Sequence, residues 1–345
     1  MHTLLHCGMA AAPPAPAVPA EGDVTRGMLL GALGVVFFAA TLPATRLAVG
    51  DQSAPQLPPA FVTVGRAAVA GVLSVLYLTL RRARPPARRH WPTLLVSALG
   101  TVAGFPLFLA LALRHVEAMH AAIVTGVLPL ATAAAAAVAF RQRASIGFWG
   151  CALLGCVLVL AYAAWQGSGA PTIADLFLLL AVLSAAVGYV GGAQVSMELP
   201  APDVICWVLV LALPVVLPLA WWLRPTQPAS LPAWGGFVYV SLFSMWLGFF
   251  AWYRALALGG VMRVSQVQLL QPFIALLLAV PLLGERLDAA TVGFALAVLA
   301  VVFVGRRMPV QRAQGAPASA RRAHPAAWPC PAANRSGRTR GKSPE

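Results

Sequence analysis

The stretch from Gln268 to Arg307, QLLQPFIALLLAVPLLGERLDAATVGFALAVLAVVFVGRR, indicates how this chain folds. It contains two apolar runs, each close to the roughly 20 residues that cross a bilayer as an α-helix. Only the link from Gly284 to Asp288 separates the two runs, and it carries three charges. The pattern predicts two membrane-spanning helices that are joined by a tight polar loop.

The whole chain has the composition of an integral membrane protein. Of its 345 residues, 60% are hydrophobic and 10% are charged, and the mean hydropathy is +0.80. A soluble domain has about 25% charged residues. A net charge of +14 would suit nucleic acid, but the arginines cluster in short gaps between apolar runs and in the tail after Met308. Cytoplasmic flanks of membrane helices have this distribution, so we predict a lipid bilayer, and no nucleic acid, as partner.

Ten apolar runs follow one another along the chain without the alternation that strands would show. Only helices and closed barrels satisfy the backbone in lipid, so we predict an all-α integral membrane protein with ten transmembrane helices. Residues 1–25 and 308–345 are rich in Ala and Pro and are predicted to be a disordered arm and a disordered basic tail. The ten runs are 27–48, 59–80, 92–113, 119–140, 146–165, 173–197, 203–223, 234–257, 263–283 and 288–306.

The distribution of arginine predicts the orientation of these helices. The loops at residues 81–90 and 141–143 are basic, whereas those at residues 51 and 166–172 contain no basic residue. Positively charged loops stay in the cytoplasm, which places both termini there. Abundant arginine and alanine with very little lysine is typical of a GC-rich bacterial genome, which indicates origin only, and we expect a multi-pass protein of the bacterial inner membrane. The loop at residues 198–203 should be cytoplasmic but contains no arginine.

The chain matches itself when it is shifted by 143 residues. Alanine- and leucine-rich helices can align by chance, but proline, arginine and glycine also fall in register. The shift predicts two five-helix repeats, residues 27–165 and 173–307, and an odd number of spans per repeat makes the second copy inverted in the membrane. The matched positions are Ala112-Leu113 with Ala255-Leu256, Met119 with Met262, Pro129 with Pro272, Arg143 with Arg286, and Gly150 with Gly293.

Both copies resemble the repeat of the EamA-like drug/metabolite transporters. The segments are Ala110–Leu160 and Tyr253–Phe303, and the second, WYRALALGGVMRVSQVQLLQPFIALLLAVPLLGERLDAATVGF, is more similar because it includes the GERL link. The first copy has Arg141-Gln142-Arg143-Ala144 where the family usually has Gly-Glu and an apolar residue. The resemblance covers residues 27–307. It implies a secondary transporter without a cofactor, which exports a small metabolite, amino-acid-like or another organic solute, by alternating access.

Two other functions are compatible with a helical membrane protein of this kind. A flippase for a lipid-linked sugar would use the same helical repeats, and only a substrate assay separates the two. A membrane enzyme would need a nucleophile with its base, or metal ligands, at membrane depth. The sequence has no HExxH motif and no paired aspartates, and Gly167-Ser168-Gly169 lies in a loop without a partner. We therefore expect neither an enzyme nor a metal site.

Polar residues inside the apolar runs are the candidates for substrate binding, because charged and polar groups in lipid usually face a partner or a water-filled cavity. Arg66 either contacts an anion or carboxylate or bonds helix-end carbonyls, and the resemblance adds that an arginine is common at this place. Arg46 and Arg254 lie near helix ends, where snorkelling is favoured. The other candidates, which could instead serve helix packing, are Tyr189, Gln194, Trp246, Tyr253, Gln268 and Gln271.

Three prolines are candidates for breaks in the helices, because proline leaves a backbone carbonyl unpaired that water or substrate can meet. They are Pro43, Pro129 and Pro272.

Some polar and small residues are ambiguous. His115, Glu117 and His120 are interpreted as a solvated loop rather than a metal site. No Asp or Glu falls in mid-run, so a carboxylate relay is not obvious, although an acid at a run end such as Asp175 could couple transport. Gly100 and Gly104 fit either a homodimer contact or close packing within one chain.

Overall fold

The computed structural model describes residues 21–139, 142–166, 172–196, 198–259, 267–308 and 310–312. Almost all of these residues are helical. The predicted terminal arm and tail lie mostly outside the described residues, although the first helix already begins at Glu21. Within the described residues, the helices group into ten consecutive segments that overlap the ten apolar runs.

The first five segments contain two interrupted spans and one span with a π-helix at its centre. The first segment breaks at Ala40, and the fourth breaks at Gly126 and Val127. The bounds are Glu21–Ala39 and Thr41–Val49; Pro59–Leu80; Arg88–His90, Trp91–Ser97, the π-helix Ala98–Gly104, and Phe105–Ala112; Ala118–Thr125 and Leu128–Ala139; and Ile146–Gln166.

The last five segments show similar interruptions. The eighth has a central π-helix, and the ninth changes from a 3₁₀-helix to an α-helix. The bounds are Ile173–Val195; Ala201–Trp222; Leu231–Tyr239, the π-helix Val240–Leu247, and Gly248–Gly259; Val267–Leu270 and Gln271–Leu283; and Ala289–Arg307.

The helices are long and apolar enough for a multi-pass membrane protein. Within the described residues, seven are candidate membrane spans, and three shorter apolar helices lie at Ile146–Tyr162, Gln271–Leu283 and Ala289–Gly305. Two three-residue strands, Gln142–Ala144 and Val310–Arg312, pair antiparallel. They bring the link after the fourth segment against the chain that leaves the tenth.

Loop contacts divide the ends of the bundle into two faces. On one face, Glu198 Oε2 pairs with the Arg89 guanidinium and lies 3.4 Å from His90 Nε2. Arg81 Nη1 lies 3.9 Å from Asp203 Oδ1. We call this the basic face. The arginine-free loop at residues 198–203 therefore lies beside the arginine-rich loop at residues 81–90.

The opposite face joins the links after the first, third, seventh and ninth segments. Glu285 accepts hydrogen bonds from the backbone N–H groups of Ala118 and Met119, at 2.7 and 2.8 Å. The Ser230 N–H donates to Gln56 Oε1 at 2.9 Å. Gln52 also contacts His115. These loops lie together, away from the basic face.

Helix boundaries recur at the 143-residue shift. The fourth and ninth segments begin their second helices at Leu128 and Gln271, and the fifth and tenth helices begin at Ile146 and Ala289. The π-helices Ala98–Gly104 and Val240–Leu247 also correspond, apart from one residue at the start. The two halves thus share these helix starts and the central π-helix, whereas the break at Ala40 has no counterpart in the continuous helix Ile173–Val195.

Glycines bring the third and sixth segments into backbone contact. A Cβ atom on Gly100 would lie 2.4 Å from Ser184 O and 2.6 Å from Gly188 Cα, and one on Gly104 would lie 2.7 Å from Ser184 Oγ. Only glycine permits this approach. Gly100 and Gly104 therefore serve packing within the chain.

Candidate substrate-binding site

Helix breaks meet at the centre of the bundle. Pro129 and Pro272 each occupy the second position of the helix that follows a break, where a missing N–H costs nothing. Both line one small cavity of about 30 Å³, between the fourth, ninth and tenth segments. Pro43 similarly follows the break at Ala40 in the first segment. The three predicted prolines all lie within four residues after an interruption.

A second cavity of about 50 Å³ lies beside these breaks and is lined by both halves of the chain. This volume admits roughly three to five water molecules, so the centre is nearly closed in this conformation. Most of its wall is apolar, and Phe38, Phe105 and Phe249 supply three aromatic rings. Its polar residues are Thr41, Arg66, Thr101, Thr125, Tyr189, Ser244 and Gln271.

Arg66 is the charged group of this central cavity. It lies two turns into the helix Pro59–Leu80, and only 3% of it is exposed. Its Nη2 donates to Ser244 Oγ at 2.8 Å, and Thr41 Oγ1 donates to the same oxygen at 2.8 Å. Its Nε is buried without a partner among the described residues. The serine thus connects the second segment to the eighth and to the first.

Ser244 and Thr101 are site residues that the sequence interpretation missed. They lie exactly one 143-residue shift apart, each inside a π-helix, and both line the central cavity. Thr101 Oγ1 donates to Ser97 O at 2.7 Å, which satisfies its hydroxyl within its own helix. The sequence does place a hydroxyl-bearing residue at the same position of both copies, which could have indicated a shared site. Single hydroxyl-bearing residues are common in membrane helices, so this pattern alone does not distinguish a site.

The structure brings together three of the predicted substrate-binding residues and places Trp246 and Gln194 elsewhere. Arg66, Tyr189 and Gln271 line the central cavity. Trp246 instead packs against Tyr77 and Phe250, with ring centroids 6.5 and 4.9 Å away. The side chains of Tyr253 and Gln268 lie outside the part of the chain whose side chains are described.

Gln194 lines a different space, a groove between the third, fourth, fifth and sixth segments. The groove has a volume of about 850 Å³ and a mostly alanine, valine and leucine surface. Its lining includes Pro92, near the start of the third segment, and Trp149, near the start of the fifth, so it extends toward the basic face. Val127 lines the groove and Leu128 the central cavity, so the two spaces approach each other at the break in the fourth segment.

His120 does not belong to a solvated loop, and this interpretation was wrong. Only 7% of His120 is exposed, and its Nε2 lies 2.6 Å from Asp175 Oδ1 in the sixth segment. His115 and Glu117 are exposed, as expected. The sequence could not reveal the pair, because its partner is 55 residues away. Within the described residues, no group of three His, Cys, Asp or Glu side chains could hold a metal ion.

Comparison with known proteins agrees with this architecture. The EamA-like transporter family model matches the chain twice, over residues 25–163 and 172–306. The chain is 44% identical over 285 residues to an "Uncharacterized transporter YdeK" of Bacillus subtilis. The alignment covers 82% of this chain and 98% of the Bacillus protein. It is 24% identical over 270 residues to an "Uncharacterized transporter sll0355" of Synechocystis. This alignment covers 72% of the present chain and 82% of the Synechocystis protein.

A solved structure shares the fold. It is described as "Crystal structure of protein" and covers 82% of this chain and 96% of its own, with a TM-score of 0.55 and 16% sequence identity. The family model matches each half of the chain, and both halves line the central cavity. This multi-pass membrane protein therefore belongs to the EamA-like transporter family.

Proposed function

We propose that the protein exports a small organic metabolite across the bacterial inner membrane by alternating access. The observation that carries this proposal is the central cavity, which both halves line at the level of the helix breaks. Transporters with internal repeats bind substrate at such a place, because broken helices expose backbone groups there. Substrate binding then shifts the population between two conformations that open to opposite sides.

The proposed membrane arrangement is ten spans in two inverted five-helix repeats, with both termini in the cytoplasm. It is supported by the 143-residue recurrence of helix boundaries and by the separation of loops into two faces. The basic face is the cytoplasmic one under the positive-inside rule. The strand Val310–Arg312, which follows the tenth segment, pairs with the strand Gln142–Ala144 in the link after the fourth segment. Because that link contains Arg143, we assign both strands to the basic face.

In this arrangement the conformation of the chain is closed toward the outside. Glu285 and the helix start at Ala118 hold the opposite face together, and the large groove extends from the break in the fourth segment toward the basic face. The groove serves as the cytoplasmic approach to the central cavity. Movement of the fourth segment at Gly126 and Val127 opens the passage between them.

A transport experiment tests the proposal directly. Metabolites in the medium are compared between bacteria that express the chain, a vector control and the Arg66→Ala variant at equal membrane abundance. We expect at least one compound to accumulate outside only with the intact chain. Depletion of a compound from the medium would instead show uptake and contradict the direction. An unchanged medium would contradict export.

The same groove favours a second candidate, a flippase for a lipid-linked sugar. Its apolar wall and volume of about 850 Å³ suit an acyl or prenyl chain. Lipid analysis of the two membrane leaflets in the same cells separates the candidates. A lipid whose sidedness depends on the chain, together with an unchanged medium, would favour the flippase.

A further inference from the structure

The guanidinium of Arg66 has no counter-charge among the described residues. It forms no ion pair within the described residues, and no acidic side chain lines the central cavity. By contrast, Arg46 lies 3.6 Å from Asp51, and Arg89 pairs with Glu198. Those two arginines are near the ends of the bundle, whereas Arg66 is at its centre. A buried charge without a partner is costly.

A purely structural role does not require this charge. The contact of Arg66 with Ser244 uses one N–H group, which a neutral amide could also provide. Ser244 Oγ already accepts from Thr41, so it remains hydrogen-bonded without the arginine. The repeat-equivalent position, 143 residues later, is the buried apolar residue Leu209. The fold therefore tolerates a neutral side chain at the corresponding place in its other half.

The cavity also supplies hydrogen-bond donors beside Arg66. The Tyr189 hydroxyl and the Gln271 amide line it without a hydrogen-bond partner within the described residues. Thr101 and Thr125 have already donated to backbone carbonyls, at 2.7 Å in each case. The uncommitted groups are thus a cation and two neutral groups that can donate. Arg with flanking donors is the arrangement that binds carboxylate and phosphate oxygens.

We infer that the central cavity binds the oxyanion of a small organic anion, with Arg66 as its counter-charge and Tyr189 and Gln271 as further donors. The aromatic rings of Phe38, Phe105 and Phe249 contact the apolar body of the same molecule. This inference rests on the proposed function, because it names the substrate class of that site. A carboxylate and a phosphate ester present the same oxygen chemistry and are separated by experiment.

The test uses the metabolite comparison and identifies each exported compound, and so its ionisable groups, by mass spectrometry. We expect the exported compounds to carry a carboxylate or a phosphate, and their identities distinguish the two sources. Export only of compounds that have neither group would overturn the inference while export itself stands. The absence of any export would contradict the proposed function, and the inference with it.

Three variants at equal membrane abundance assign the anion to Arg66. Arg66→Gln should reduce export of the anion by roughly 10- to 100-fold, since hydrogen bonds to charged groups are worth about 1.5–3 kcal/mol. Arg66→Lys should retain more export than Arg66→Gln. Arg46→Gln is the matched control and should retain most of it. Equal export by the wild type and Arg66→Gln would overturn the assignment.

Thermal unfolding of the purified protein in detergent separates ligand binding from a structural role. If the role of Arg66 is to bind the ligand, the Arg66→Met variant should unfold at the same temperature as the wild type or at a higher one. The reason is that the substitution removes a buried unpaired charge. A structural role predicts a lower unfolding temperature. A clear decrease for Arg66→Met, together with unchanged export by Arg66→Gln, would show that the arginine serves the fold.

Discussion

His120 Nε2 lies 2.6 Å from Asp175 Oδ1, and this contact joins the fourth helical segment to the sixth. Both residues are buried, with exposures of 7% and 3%. The other carboxylate oxygen of Asp175 accepts hydrogen bonds from the backbone N–H and the hydroxyl of Thr172, at 2.7 and 2.8 Å. One carboxylate oxygen of Asp175 thus caps the helix that contains Asp175, and the other contacts His120 in the first half of the chain.

Removing one partner of this pair should destabilise the protein. We expect Asp175→Asn and His120→Gln each to lower the free energy of unfolding by about 1–3 kcal/mol, because the remaining buried group loses its hydrogen-bond partner across the two segments. The double variant should lose less than the sum, with a coupling of about 0.5–3 kcal/mol. Unfolding in mixed micelles measures all four proteins. Strictly additive losses would show that the pair is not coupled.

Thr172→Ala provides the control for the capping role of Asp175. It removes the hydroxyl donor but leaves the backbone N–H donor and the contact with His120. We expect a loss of about 0.5–2 kcal/mol, as for other helix caps. A loss as large as that of Asp175→Asn would indicate that capping, rather than the pair, dominates.

The glycine contact between the third and sixth segments gives a second prediction. Gly100→Ala should lower stability by about 1–3 kcal/mol, because the new methyl group meets backbone atoms that cannot move aside. Gly150→Ala is the matched control, since a Cβ there meets nothing within 4 Å. That variant should be neutral or more stable by about 0.5–1 kcal/mol. Thermal unfolding of the two purified variants compares them, and equal behaviour would contradict close packing at Gly100.

Local sequence features predicted the helices well. The apolar runs 59–80 and 146–165 coincide with the helices Pro59–Leu80 and Ile146–Gln166 to within one residue. Hydrophobic length and proline position are properties of a short window, and lipid leaves the backbone few alternatives. The register of the two halves was equally visible, because Pro129 and Pro272 begin corresponding helices.

Side-chain contacts between distant segments could be predicted only in part. Arg66, Tyr189 and Gln271 were identified because polar groups are rare at such depth, and all three line the central cavity. Trp246 is a candidate from its place in the eighth apolar run, yet it packs against Tyr77 in another segment. Spacing along one helix defines a face but not the helix that covers it.

Glu285 gives a prediction about pH. Desolvation raises the pKa of its carboxyl above the ordinary value of 4.5, although the hydrogen bonds from Ala118 and Met119 oppose the shift. A raised pKa in the folded state stabilises the protein fully below the ordinary value, and this contribution is lost as pH rises through the folded-state pKa. Glu285→Gln does not titrate, so its stability relative to wild type should be lowest below pH 4.5 and should improve as pH rises through the folded-state pKa.

Thermal unfolding of wild type and Glu285→Gln across this pH range measures the difference. Arg286→Gln, which changes the neighbouring exposed residue, is the control for a change in loop charge. Its difference from wild type should vary less with pH. A Glu285→Gln difference that is constant with pH would show that this carboxyl does not titrate differently in the folded protein.

The proposed inverted arrangement predicts opposite accessibility of two loops that the charge pattern distinguishes. Single cysteines are introduced as Ala87→Cys and Arg286→Cys, both at exposed positions, after the five native cysteines have been replaced. A membrane-impermeant maleimide should label Arg286→Cys on intact cells and label Ala87→Cys only after permeabilisation. An even number of spans between these positions would place both on one side. Equal labelling of the two variants on intact cells would therefore contradict the inverted repeat, because seven helical segments, an odd number, separate them.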